Sequence, residues 1–89
     1  MEPIYTKPFR KQFKLMQKQG KNINKLGEVM DMLINEEPLP PELKNHPLHG
    51  KWKGCMECHI EPNWLLIYEF NHSLNEVTFH RTGSHSDLF

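Results

Sequence analysis

The sequence predicts a single α+β domain: a small antiparallel-rich sheet with an N-terminal helical hairpin packed on one face, in the order β-α-α-β-β-β. Three observations carry this. Apolar residues recur at helical spacing through the first third of the chain, alternate with period two after residue 50, and follow neither period in the proline-rich stretch between. With 89 residues, 37% of them apolar, the chain can fill one core and no more, so residues 1–89 are read as one domain.

Taken in order, residues 3–5 read as a short edge strand. A helix follows, with Phe9, Phe13 and Met16 at i, i+4 and i+7 on one face, lysines on the other, and Gly20 as its stop. A second helix fits residues 23–35, where Ile23, Leu26, Met30, Leu33 and Ile34 form a stripe and Asn22 caps the start. Residues 36–50 contain Pro38, Pro40, Pro41 and Pro47, which remove backbone donors and restrict their neighbours. They read as a long ordered loop rather than a strand.

From residue 51 the alternation of a half-buried strand sets in, placing Trp52, Gly54, Met56, Cys58 and Ile60 toward the core. Lys51, Lys53, Cys55, Glu57 and His59 then point away. Residues 65–70 are almost continuously apolar, as in a central strand covered on both faces. Residues 71–75 supply a turn, Val77 and Phe79 alternate in a third strand, and the tail from Thr82 to Phe89 follows.

The formal charge is zero, which argues against a uniformly basic nucleic-acid binder, yet the distribution is uneven. Residues 1–25 hold seven Lys/Arg against Glu2 alone, so one end is cationic and the rest carries the balancing negative charge. Lys7, Lys11, Lys14 and Lys18 are candidates for a phosphate-binding surface, a solvated helix face being the plainer alternative. No apolar run reaches the roughly 20 residues that span a bilayer, and no signal segment is visible, so a cytoplasmic chain without membrane contact is expected.

Cys55 and Cys58, followed by His59, formally match a C-x-x-C-H pattern. In a strand, residues three apart face opposite sides, and no second cysteine pair exists to complete a cage. Two unrelated thiols are the better reading, and no metal or other cofactor is expected. Among the histidines, His72 in a turn and His80 on a strand read as ordinary surface or partly buried imidazoles. His46, His59 and His85 each adjoin a turn and can converge on one cleft.

Imidazole gives or takes a proton near neutrality, the fork of Arg81 suits phosphate oxygens, and Trp64 offers a stacking surface. Together they are the parts for cleaving RNA by attack of a ribose 2′-hydroxyl on the adjacent phosphate, without metal. A satisfied structural role for the same residues is the competing reading.

Five segments then carry a family resemblance: His46-Pro47-Leu48, Gly50-Lys51-Trp52-Lys53, His59-Ile60-Glu61-Pro62, Leu66-Ile67-Tyr68, and Arg81-Thr82-Gly83-Ser84-His85 through Leu88-Phe89. In these the chain resembles the RelE/ParE superfamily of bacterial toxins, and within it the YafQ branch of type II toxin–antitoxin systems. The resemblance implies a ribosome-dependent endoribonuclease, or mRNA interferase, acting on mRNA in the decoding site. It further implies a cognate antitoxin, partly disordered when free, through whose complex alone operator DNA is bound.

By position, His46, His59 and His85 would share proton transfer and substrate contacts, Arg81 would hold the scissile phosphate, and Asn63, Trp64 and Phe89 would shape the substrate cleft. Asn63 departs from the pattern, which has an aspartate there; an amide hydrogen-bonds but accepts no catalytic proton. A gyrase-inhibiting ParE-like toxin, or a weakened toxin kept for antitoxin binding, are the alternative readings.

Overall fold

In the computed structural model, which describes residues 1–89, the chain runs through β1 (Glu2–Tyr5), α1 (Lys7–Lys18), α2 (Ile23–Ile34), β2 (His46–Pro47), β3 (Met56–Glu61), β4 (Trp64–Asn71), β5 (Glu76–Gly83) and α3 (His85–Leu88). Thr6 starts α1 by accepting the Phe9 amide on Oγ1 at 3.1 Å, and Pro8 sits in the first turn, where a missing N–H removes no helical bond. The helix ends at Gly20, whose φ of 76° suits glycine and lets Lys21 N–H reach the Met16 carbonyl at 3.0 Å. Asn22 then caps α2 through Lys25 N–H at 3.4 Å, as its position before the apolar stripe predicts.

The five strands form one mixed sheet in the order β1-β5-β4-β3-β2. β3, β4 and β5 make the expected antiparallel meander, and β1 lies at the edge parallel to β5. Both helices cover one face. Phe9, Met16, Leu26, Met30 and Leu33 pack there against Cys58, Ile60, Trp64, Leu66, Tyr68, Val77 and Phe79 in a continuous core. β4 is central, and Leu65 to Tyr68 are buried on both of its faces, which explains its unbroken apolar run.

Two sequence expectations are corrected. The alternating segment does not begin as a strand at residue 51: residues Gly50–Trp52 form a 3-10 turn, Cys55 N–H closes back onto the Trp52 carbonyl at 2.9 Å, and β3 starts only at Met56. Trp52 therefore stays out of the helix-side core. The proline-rich segment, read as a loop throughout, also contributes the two-residue strand β2, paired antiparallel with Met56 and Glu57. Pro47 is tolerated there because β2 is the sheet's outer edge.

Candidate active site

The sheet face opposite the helices gathers the titratable groups, and strand register puts them in rows. His46 pairs with Glu57, Glu57 with Ile67, and Ile67 with Arg81, so His46, Glu57 and Arg81 lie along one line across four strands. His59 pairs with Leu65, and Leu65 with Gly83, in the neighbouring row. Directly opposed residues project to the same side, so fully buried Leu65 and Ile67 floor the site.

Within this frame the three imidazoles form a continuous chain. Ring centroids of His46 and His59 are 6.3 Å apart, those of His59 and His85 6.2 Å, and Phe89 continues the line 5.7 Å beyond His85. Beneath them lies Glu57, only 3% exposed, with Oε1 3.1 Å from His46 Nε2 and 3.6 Å from His59 Nε2. His46 Nδ1 lies 3.1 Å from the Pro47 carbonyl, so both nitrogens of this ring face acceptors. One buried carboxylate thus orients two neighbouring imidazoles.

Glu57 is the functional candidate that the sequence reading did not select. Its signal was present, since an acid two residues before His59 shares a strand face with it. A lone glutamate on a half-exposed face ordinarily reads as solvated; here the edge strand and the His46 ring cover it.

His85 is placed by the tail. Ser84 Oγ accepts Asp87 N–H at 3.2 Å, and Asp87 Oδ2 accepts Ser84 N–H at 3.0 Å, a reciprocal cap that starts the single turn of α3. Hydrogen bonds to the Asp87 carboxylate from Ser84, its backbone N–H first and then its hydroxyl, lower the Asp87 pKa. Gly83 allows the close turn, because a Cβ there would stand 3.2 Å from Asp87. Asn63 reaches across from the β3–β4 turn, and its Oδ1 accepts His85 N–H at 3.4 Å. It therefore braces the backbone that carries His85.

Arg81 donates through Nη1 to the His80 carbonyl at 2.8 Å, and its guanidinium carbon lies 5.3 Å from the Trp52 ring centre. That stacking holds the fork on the site face. Beside His59 an open groove of about 430 Å³ is lined by Lys25, Leu43, Lys44, Glu61 and Pro62 among others.

Trp64 requires a correction. Its ring is 1% exposed within the helix-side core and its Nε1 donates to Thr82 Oγ1 at 2.9 Å, so it has no free face for stacking a base. Trp64, Leu66 and Tyr68 share the core side of β4, a parity that the sequence itself contains. Lys7, Lys11, Lys14 and Lys18 are all exposed on α1, in the helical layer.

The two cysteines separate: Cys58, on β3, lies in the core, where burial and then the Glu57 charge push its thiol up to about 12, while Cys55, just before the strand, faces Glu69. Two groups of side chains have metal-ligand spacing, His46/Glu57/His59 and Cys55/Glu69/His80, with ligand atoms in each group within 4.8 Å of one another.

A helical hairpin on one face of a five-stranded sheet, with a histidine-rich cleft on the other, defines the class as a RelE-like toxin fold. The family is narrower. A model described as the bacterial toxin of type II toxin-antitoxin system, YafQ, matches residues 1–89, and the chain belongs to this YafQ family. It is 46% identical over 86 residues to the mRNA interferase toxin YafQ of Escherichia coli K12, covering 96% of this chain and 91% of that one.

Among solved structures, it is similar to the toxin in the E. coli DinJ-YafQ complex, with TM-score 0.91, 44% identity, and 99% and 97% of the two chains covered. It is also similar to a metal-bound toxin from Helicobacter pylori, with TM-score 0.95, 38% identity and coverage of 100% and 99%.

Proposed function

We propose that this chain is the toxin of a type II toxin–antitoxin pair and a ribosome-dependent endoribonuclease that cuts mRNA by 2′-hydroxyl attack. The observation that carries the reading is the line of His46, His59 and His85 over the buried Glu57, on the face that also presents Arg81. Attack needs one group to take the hydroxyl proton, another to protonate the departing 5′-oxygen, and a cation at the non-bridging oxygens. Imidazoles about 6 Å apart reach opposite sides of one phosphodiester. Each proton-transfer group contributes about 10²–10⁴-fold, so the protein's own side chains suffice for the reaction.

In this reading Glu57 and Asn63 are positioning residues, the first for His46 and His59, the second for His85. Phe89 closes the cleft against the substrate base, and Trp64 acts only through the core. Lys25 and Lys44 line the groove beside His59, where the RNA backbone would run, and Lys7, Lys11, Lys14 and Lys18 would meet ribosomal RNA. A gyrase inhibitor has no need of convergent proton-transfer groups, so the cleft favours the nuclease.

The E. coli relative is in complex with DinJ, which supports a cognate antitoxin as partner here. No helix is long and apolar enough to cross a membrane, in keeping with action on cytoplasmic ribosomes. Separate alanine substitutions at His46, His59, Arg81 and His85 should relieve growth inhibition while antitoxin binding persists. Full toxicity in all four variants would overturn the assignment.

A further inference from the structure

The same sheet face carries a second cluster that the proposed reaction does not use. Cys55 precedes β3, Glu69 lies on β4, and His80 is the extra residue of β5 at the bulge between the Ile67–Arg81 and Tyr68–Phe79 pairs. Glu69 Oε1 is 3.0 Å from His80 Nε2 and 3.9 Å from Cys55 Sγ. Bonds of about 2.0–2.3 Å around tetrahedral zinc hold adjacent S, N and O donors roughly 3.3–3.6 Å apart, so small rotations bring these three to that spacing. Cys55 is buried, whereas the Glu69 and His80 side chains are 44% and 23% exposed, which leaves the cluster open to solvent on one side.

We propose that Cys55, Glu69 and His80 bind a borderline divalent transition metal such as zinc, with water as the fourth ligand. One thiolate, one imidazole and one carboxylate make a mixed set that selects zinc or its neighbours over magnesium and calcium, which take oxygen donors. Burial, then the Glu69 charge, raises the Cys55 pKa, so the free thiol keeps its proton. On binding, the S–H proton leaves to solvent as the metal–sulfur bond forms, and neutral His80 donates its Nε2 lone pair.

The ion's two charges then offset the thiolate and Glu69, so the cluster becomes one unit more positive than its metal-free form. Its position matters because the His80 carbonyl holds Arg81 Nη1 at 2.8 Å, which ties the metal to the bulge from which Arg81 reaches.

This site is distinct from His46/Glu57/His59, which contains no sulfur, and it stands whether or not the chain cleaves RNA. The test is titration of the purified full-length protein with cobalt(II), followed by the thiolate-to-cobalt charge-transfer band in the near ultraviolet. The band should saturate at one equivalent, yield to zinc, and persist in Cys58→Ala and His46→Gln. It should vanish in Cys55→Ser, and His80→Gln should weaken binding by about tenfold or more. No band in the wild-type protein with excess cobalt, or a band that survives Cys55→Ser, would overturn the proposal.

Discussion

Replacing Glu57 by glutamine keeps the side chain's length and volume and removes its charge from beneath two imidazoles. Oε1 lies 3.1 Å from His46 Nε2 and 3.6 Å from His59 Nε2, and the side chain is 4% exposed, so water cannot take over its role. A hydrogen bond to a charged group contributes about 1.5–3 kcal/mol. Each 1.4 kcal/mol or so in the barrier is a factor of ten, so losing one such interaction at the reacting rings slows cleavage roughly 10- to 150-fold.

Stability should fall as well, by at most the roughly 3–5 kcal/mol that removing one partner of a buried pair costs, and by less than that where the half-exposed His46 ring can turn to water. The assay is the rate of mRNA cleavage in a translating extract, read beside thermal unfolding of the same preparation. A folded Glu57→Gln protein cleaving within about twofold of wild type would refute the positioning role.

Three further outcomes follow from the same geometry. Asn63→Asp keeps an oxygen acceptor for His85 N–H and should preserve or raise activity, whereas a marked loss would show dependence on the amide itself. Trp64→Ala should lower unfolding stability by about 3–5 kcal/mol through loss of core packing, measured by chemical denaturation; a change under about 1 kcal/mol would contradict its burial. Cys58 titrates at 9.0 ordinarily and about 12 in the fold, so the unfolded chain releases this proton first. Its contribution is fully present below pH 9.0 and is lost as pH rises toward about 12, and Tyr68, also pushed upward by burial, acts in the same direction. Denaturation midpoints should therefore fall above about pH 9 and fall less in Cys58→Ala, while a rise would contradict the shifts.

The helices were legible because their signals are local: the stripe from Leu26 to Leu33, the Asn22 cap and the Gly20 stop each act within a few residues. So was the central strand, whose apolar run requires cover on both sides. The start of β3 was not, because alternation from residue 51 continues by chance through a 3-10 turn whose bonds close Cys55 onto Trp52. Of the cleft, the convergence of His46, His59 and His85 was readable from their turn-flanking positions. The burial of Glu57 was not, since it depends on β2 pairing from eleven residues away and on the His46 ring above it. Trp64 misled for the opposite reason: it sits beside a turn yet shares parity with Leu66 and Tyr68, and that parity decides its side.

The chemistry of the cut ends tests the central claim most directly. Attack by the 2′-hydroxyl leaves a 2′,3′-cyclic phosphate on one fragment and a 5′-hydroxyl on the other. End mapping of mRNA after brief expression should find 5′-hydroxyl termini that disappear when His59 or Arg81 is replaced by alanine. Intact mRNA in arrested cells, or fragments with 5′-phosphate ends, would contradict the proposed mechanism.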